Sequence, residues 1–189
     1  MTLSTVDAKP ALIVVDLQKG ILAMPGGDTD GLKQVIQHAA DLAAAFRSRG
    51  LPVALVSILG DTPGRTEVNG PADFIPQPDF ADPVDELAPQ LGDIRVIRQR
   101  WSAFGGTTVH DDLQKAGVTQ VVLAGVATSI GVESSARAAH EHGYHVVLAT
   151  DAMTDMNPDA HHNSIHNIFP RLGETATTTQ ILDKLQRTR

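Results

Sequence analysis

Apolar residues run along this chain in two alternating rhythms. PALIVVD (Pro10 to Asp16), LPVALVSI (Leu51 to Ile58) and TQVVLA (Thr119 to Ala124) are short apolar runs with almost no polar alternation. That is the pattern of strands buried on both faces of a parallel sheet. Ile94 to Arg98, His145 to Ala149 and a short run near Glu174 to Ala176 add three more. Between the first two strands, Leu32, Val35, Ile36, Ala39, Leu42, Ala43 and Phe46 recur at helical spacing until Gly50. Val109 to Ala116 reads as a helix closed by Gly117, and Ser129 to His142 as one closed by Gly143. Further helices are predicted from about Pro158 to Ile168 and from the last strand to the C-terminus.

Strands alternating with helices predict an α/β fold, with a doubly wound, mostly parallel six-stranded sheet and helices on both faces in a Rossmann-like three-layer arrangement. No repeat, low-complexity tract or linker divides residues 1–189, so one domain is expected. Leu59 to Asp93 is rich in Gly, Pro and Asp and long for a plain connection, as functional loops often are.

Composition narrows the function. The formal net charge is −7 and the Lys and Arg residues are scattered, so no basic stripe exists to neutralise nucleic-acid phosphates. No apolar run approaches the ~18–20 residues of a membrane span, and MTLSTVDAKP has neither the cationic nor the apolar region of a signal peptide. A cytoplasmic protein acting on a small molecule is expected. Cysteine is absent, which excludes disulfides, thiolate metal sites and cysteine nucleophiles together.

Ligands of such sheets bind beyond the carboxyl ends of the strands. The polar residues there are Asp16, the Arg98–Gln99–Arg100 run, the Gly125 to Gly131 turn, and Asp151. Singly, each has a structural explanation: an Asp caps a turn, an Arg is a solvated charge, and Thr128 or Ser129 is a helix N-cap. GVATSIG is not a GxGxxG dinucleotide fingerprint, and no cofactor is implied.

The combination is more specific. ALIVVDLQKGIL, RQRWSAFGGT, GVATSIGVESSARAAHEHGYHVVLATDAM and HHNSIHNIFPRLG follow one another in an order and spacing that resemble the isochorismatase-like hydrolases, from Pro10 to about Leu185. Most members of that family carry an Asp–Lys–Cys triad. The resemblance implies that Asp16 is the Asp, that Arg98 stands where the Lys is expected, and that Gly131 stands where the Cys is expected. A glycine closes the covalent thioester route. Ser129, two residues upstream of Gly131, has no evident base beside it and reads better as the N-cap.

The isochorismatases proper hydrolyse a vinyl ether without a thiol, with the equivalent Asp as acid. By that resemblance Asp16 is expected to act as general acid/base, its pKa raised by burial, with Arg98 supplying a fixed positive charge. Those enzymes have Tyr-Ala-His where this chain has Ala127-Thr128-Ser129, so the turn is closer to the amidohydrolase version. Val126–Ala127 matches a place where the family often has a non-proline cis peptide. Val126, Ala127, Ile130 and Gly131 are expected to line the pocket, with Trp101, Phe104 and Gln18 as further lining residues. Core packing is the competing explanation for Phe104. Of the eight histidines, His161, His162 and His166 lie close together, but SILGDTPG lacks the histidine of the metal-binding members, so no metal is expected. The resemblance also implies a homo-oligomer, a dimer or a multiple of dimers. The rival reading is a catalytically silent binding or assembly protein, since two of the three triad residues are replaced.

Overall fold

The computed structural model describes residues 3–23, 29–60, 64–67 and 75–187. β1 (Pro10–Val15) leads through a short helix α1 (Lys19–Leu22) and the long α2 (Thr29–Ser48) to β2 (Val53–Ile58). A single 3-10 turn (Asp85–Leu87) precedes β3 (Ile94–Arg98) and α3 (Val109–Lys115). β4 (Gln120–Val126) enters a π-helical turn (Thr128–Val132) that continues as α4 (Glu133–Glu141). β5 (His145–Thr154), α5 (Pro158–Asn163), a second π-helical turn (Ser164–Ile168) and α6 (Phe169–Leu172) lead to β6 (Glu174–Ala176) and α7 (Thr178–Arg187).

The six strands form one sheet in the order β3-β2-β1-β4-β5-β6, and every pairing is parallel. Strand order reverses beside β1, so the crevice between the ends of β1 and β4 is the topological switch point. Alternate strand residues feed two cores. Leu12, Val14, Val53, Leu55, Val122 and Val147 face α2 and α7, while Ala11, Ile13, Val56, Val121, Leu123 and Leu148 face α3, α4 and Phe169. This two-sided burial is why the runs show no polar alternation.

Three elements differ from the sequence expectation. β5 continues past Ala149 to Thr154 through a register shift against β4, so Asp155 rather than Asp151 stands at its end. Asp151 instead accepts hydrogen bonds from the Thr178 N–H (2.7 Å) and hydroxyl (2.9 Å), at the start of α7. The helix expected from Ser129 begins as a π turn, because the Ala127 carbonyl accepts from both Ile130 (3.1 Å) and Val132 (3.2 Å). The chain from Pro158 continues past Ile168 to Leu172 rather than stopping there.

Gly125 fixes how closely β4 approaches β1. Its φ is +122°, and a Cβ there would lie 1.9 Å from the Val15 carbonyl oxygen, a backbone atom that cannot swing away. Gly125→Ala is therefore expected to lower stability by more than about 4 kcal/mol, read as a shift of the urea unfolding midpoint. A variant within about 1 kcal/mol of the parent would show that the two strands can separate without loss.

Candidate functional site

β1 leaves the sheet at Asp16, whose φ of +54° is uncommon for a residue with a side chain. Its N–H still donates to the Val56 carbonyl at 2.8 Å, so the turn begins from a fixed ladder rung. Arg98 is the last residue of β3, in register with Ile58 at the end of β2. Since β2 lies between β1 and β3, the Arg98 side chain reaches across the end of β2 to meet Asp16. Arg98 Nε donates to Asp16 Oδ1 at 3.1 Å, and Nη2 donates to Asp16 Oδ2. Arg98 Nη1 donates to the Arg100 carbonyl, which leaves two of the five guanidinium N–H groups for another acceptor.

Both residues are almost wholly buried, Asp16 at 4% and Arg98 at 5% exposure. Burial pushes the Asp16 carboxyl above the ordinary carboxylate range. The Arg98 hydrogen bonds and charge pull the other way, and burial is the larger effect. The result is an acid that holds its proton more tightly than a surface aspartate while sitting against a permanent cation.

Gly131 lies in the π turn at the end of β4 and is buried. A Cβ built on it would sit 3.3 Å from Asp16 Oδ2, 3.3 Å from the Val126 carbonyl and 3.0 Å from Val15 Cγ1. A side chain at position 131 would thus project beside the Asp16 carboxylate, and glycine leaves that place as bare backbone. Val126–Ala127 is a cis peptide. Val126 is buried, Ala127 is half-buried and Ile130 is 41% exposed.

Asp155, which the pattern did not single out, holds this turn in place together with His161. Asp155 Oδ2 accepts from the Ser129 N–H and hydroxyl, both at 2.7 Å, so the carboxylate at the start of the turn comes from the end of β5. The N-cap position itself is Ala127, not Thr128 or Ser129. Thr128 is buried, with its hydroxyl 2.8 Å from His161 Nδ1 on α5, and the Ser164 hydroxyl donates to Glu133 Oε2 at 2.6 Å. Only the tertiary fold brings α5 onto the turn. The HHNSIH string carried the signal for His161, without its partner. His162 and His166 stay exposed with ring centroids 4.1 Å apart. Among the described residues, no group of three His, Asp or Glu side chains is placed to hold a metal ion.

Two residues expected to line the pocket have side chains engaged by other parts of the fold. Phe104 packs its ring against Tyr144 (6.2 Å) and His142 (5.3 Å) on the α3/α4 side of the core. Gln18 is fully buried with its amide engaged by backbone: Nε2 donates to the Ile58 and Phe80 carbonyls, both at 2.8 Å, and Oε1 accepts from the Ile58 N–H at 2.7 Å. Trp101, beyond Arg98, is 51% exposed.

The Isochorismatase domain family model matches residues 10–180. The chain belongs to the isochorismatase family. The isochorismatase family protein YecD of Escherichia coli O157:H7 is 36% identical over 93% of this chain and 95% of its own length. The solved structure of an isochorismatase family protein from Burkholderia thailandensis is 35% identical, covers 98% of this chain and 100% of its own, and superposes with a TM-score of 0.84. The maleamate amidohydrolase of Pseudomonas putida is 28% identical over 94% of this chain and 87% of its own length. No described helix of this isochorismatase-family hydrolase is long and apolar enough to cross a membrane.

Removing the cation exposes the balance at Asp16. In Arg98→Met, burial acts on the carboxyl without its guanidinium partner, so the folded-state pKa rises further. The proton then binds the folded form more tightly than the unfolded one. Stability is greatest below the unfolded-state value near ~4 and falls as pH rises through the folded-state value. Urea unfolding at pH 5 and pH 8 is expected to show a steeper loss for Arg98→Met than for the parent. Parallel pH dependences would show that Arg98 does not govern this proton.

Proposed function

We propose that this isochorismatase-family hydrolase works without a side-chain nucleophile, with Asp16 as its general acid/base and vinyl-ether-type hydrolysis of a small metabolite as its reaction. The observation that carries this reading is the buried Asp16 carboxyl. Its proton affinity is raised, Arg98 is bound to both of its oxygens, and it faces bare backbone at Gly131.

Protonated Asp16 delivers its proton to the terminal vinyl carbon, and the C=C electron pair forms the new C–H bond. The ether oxygen shares the resulting positive charge as an oxocarbenium ion. The carboxylate left behind stays against Arg98, which cannot lose its own proton and so acts as fixed charge rather than as a shuttle. Water adds to the oxocarbenium carbon and loses a proton, and the hemiketal collapses to a ketone and an alcohol. Asp16 regains a proton to close the cycle. The guanidinium N–H groups not used by Asp16 and Arg100 suit an anionic or carbonyl-bearing substrate. Val126, Ala127, Ile130 and Gly131 line the pocket in this reading, with Trp101 as a wall.

A second reading, attack of water on a small amide, is favoured by the similarity to an amidohydrolase. Here Asp16 would serve as the base.

The test is a mass-spectrometric turnover screen of vinyl ethers and small amides by the parent and by Asp16→Asn, with folding followed by circular dichroism. Asp16→Asn is expected to lose roughly 10²- to 10⁴-fold in turnover of a vinyl ether while staying folded. For the parent, kcat/KM should fall as pH rises through the raised Asp16 value, because the reactive form is the acid. Asp16-dependent consumption of amides alone would replace the first reading by the second. Substrate binding with no Asp16-dependent consumption of either class would point to a binding protein.

A further inference from the structure

The side chain of Gln18 continues the β1–β2 ladder past the point where the backbone of β1 abandons it. The two strands pair in register up to Val15 and Val56, and the last backbone rung is the Asp16 N–H to the Val56 carbonyl. At Asp16 the chain takes its left-handed turn, so the next rung, to Ile58, has no backbone partner from β1. Gln18 supplies one. Its primary amide presents an N–H and a C=O side by side, as a peptide group does. Nε2 donates to the Ile58 carbonyl (2.8 Å) and Oε1 accepts from the Ile58 N–H (2.7 Å).

Ile58 is the residue that stands in register with Arg98 on β3. Gln18, two residues beyond Asp16, therefore holds both backbone groups of the β2 residue that stands beside Arg98. The Arg98 guanidinium returns to Asp16. The second N–H of Gln18 Nε2 donates to the Phe80 carbonyl, which also accepts from Gly20, and the Phe80 ring lies where a Cβ on Gly20 would be. Leu17 and Lys19 close the same seam through Val84 (3.1 Å) and Asp82 (2.9 Å).

We infer that Gln18 is a positioning residue: by standing in for the missing rung it fixes the end of β2, and so sets Arg98 against Asp16. The amide cannot be replaced by a carboxylate, because Glu has no N–H for the Ile58 and Phe80 carbonyls. Asn is one methylene too short to reach them.

The readout is solvent exchange of the Arg98 Nε–H, followed by NMR in the folded protein, which needs no substrate. In Gln18→Leu this exchange is expected to accelerate roughly tenfold or more, the scale of one lost hydrogen bond, while β4 and β5 amides keep their protection. Gln18→Asn is the second variant and decides the matter if Gln18→Leu does not fold. Exchange within about twofold of the parent in a folded variant would overturn the inference and leave Gln18 as a local anchor for Phe80 alone. The kinetic consequence rests on the proposed role of Asp16: kcat should fall with KM little changed. The two failures are distinct. Fast exchange in Gln18→Leu together with full turnover by Asp16→Asn would remove the mechanism and leave the positioning role standing.

Discussion

A carboxylate buried at the carboxyl edge of a parallel sheet is the constraint around which this molecule is arranged. Moving an unpaired charge of that size out of water costs several kcal/mol even after relaxation. Such a group survives in two ways, by taking up a proton or by meeting a cation of fixed geometry. Asp16 does some of each. Burial raises its proton affinity, and the fork of Arg98 engages both oxygens. Neither effect removes the other, and a group held between them can change protonation state with little movement of heavy atoms.

That balance depends on backbone detail. The carboxylate reaches its place because β1 ends in a left-handed residue, and β1 and β4 come close enough because position 125 has no Cβ. Each device breaks regular structure, and each break is repaired by a side chain from elsewhere. Gln18 replaces a ladder rung beyond Asp16, and Asp155 satisfies the first donors of the widened turn after β4. The polar side chains here are thus of two kinds. Asp16 and Arg98 face each other, whereas Gln18, Asp155, Thr128 and His161 hold the backbone that presents them.

The sheet was legible in the sequence because its strands are buried on both faces, and an unbroken apolar run such as ALIVV has no other easy explanation in a chain punctuated by Gly50, Gly117 and Gly143. The ends of elements were less legible. β5 outran its apolar run because DAMT pairs with β4 only after a register shift, a property of the partner strand. Asp16 and Arg98 were readable as strand-end residues, yet their contact spans an intervening strand and exists only once the sheet order is known. Gln18 and Phe104 show the limit most clearly. Proximity in sequence to a site residue says little about direction, and the same amide group serves a pocket or a ladder depending on where the neighbouring strand ends.

In the proposed reading, positions 98 and 131 act on Asp16 together. A Cβ at 131 would stand 3.3 Å from Asp16 Oδ2, the oxygen that Arg98 Nη2 also engages. A side chain growing from 131 would enter the space beside that oxygen, where a broad guanidinium needs room that a slender ammonium does not. Glycine at 131 therefore suits arginine at 98. Arginine also fixes the protonation logic: with a cation that never releases its proton, the group of the pair that can donate or accept one is Asp16. On the proposed reading, such a pair delivers a proton and then stabilises the carboxylate that remains.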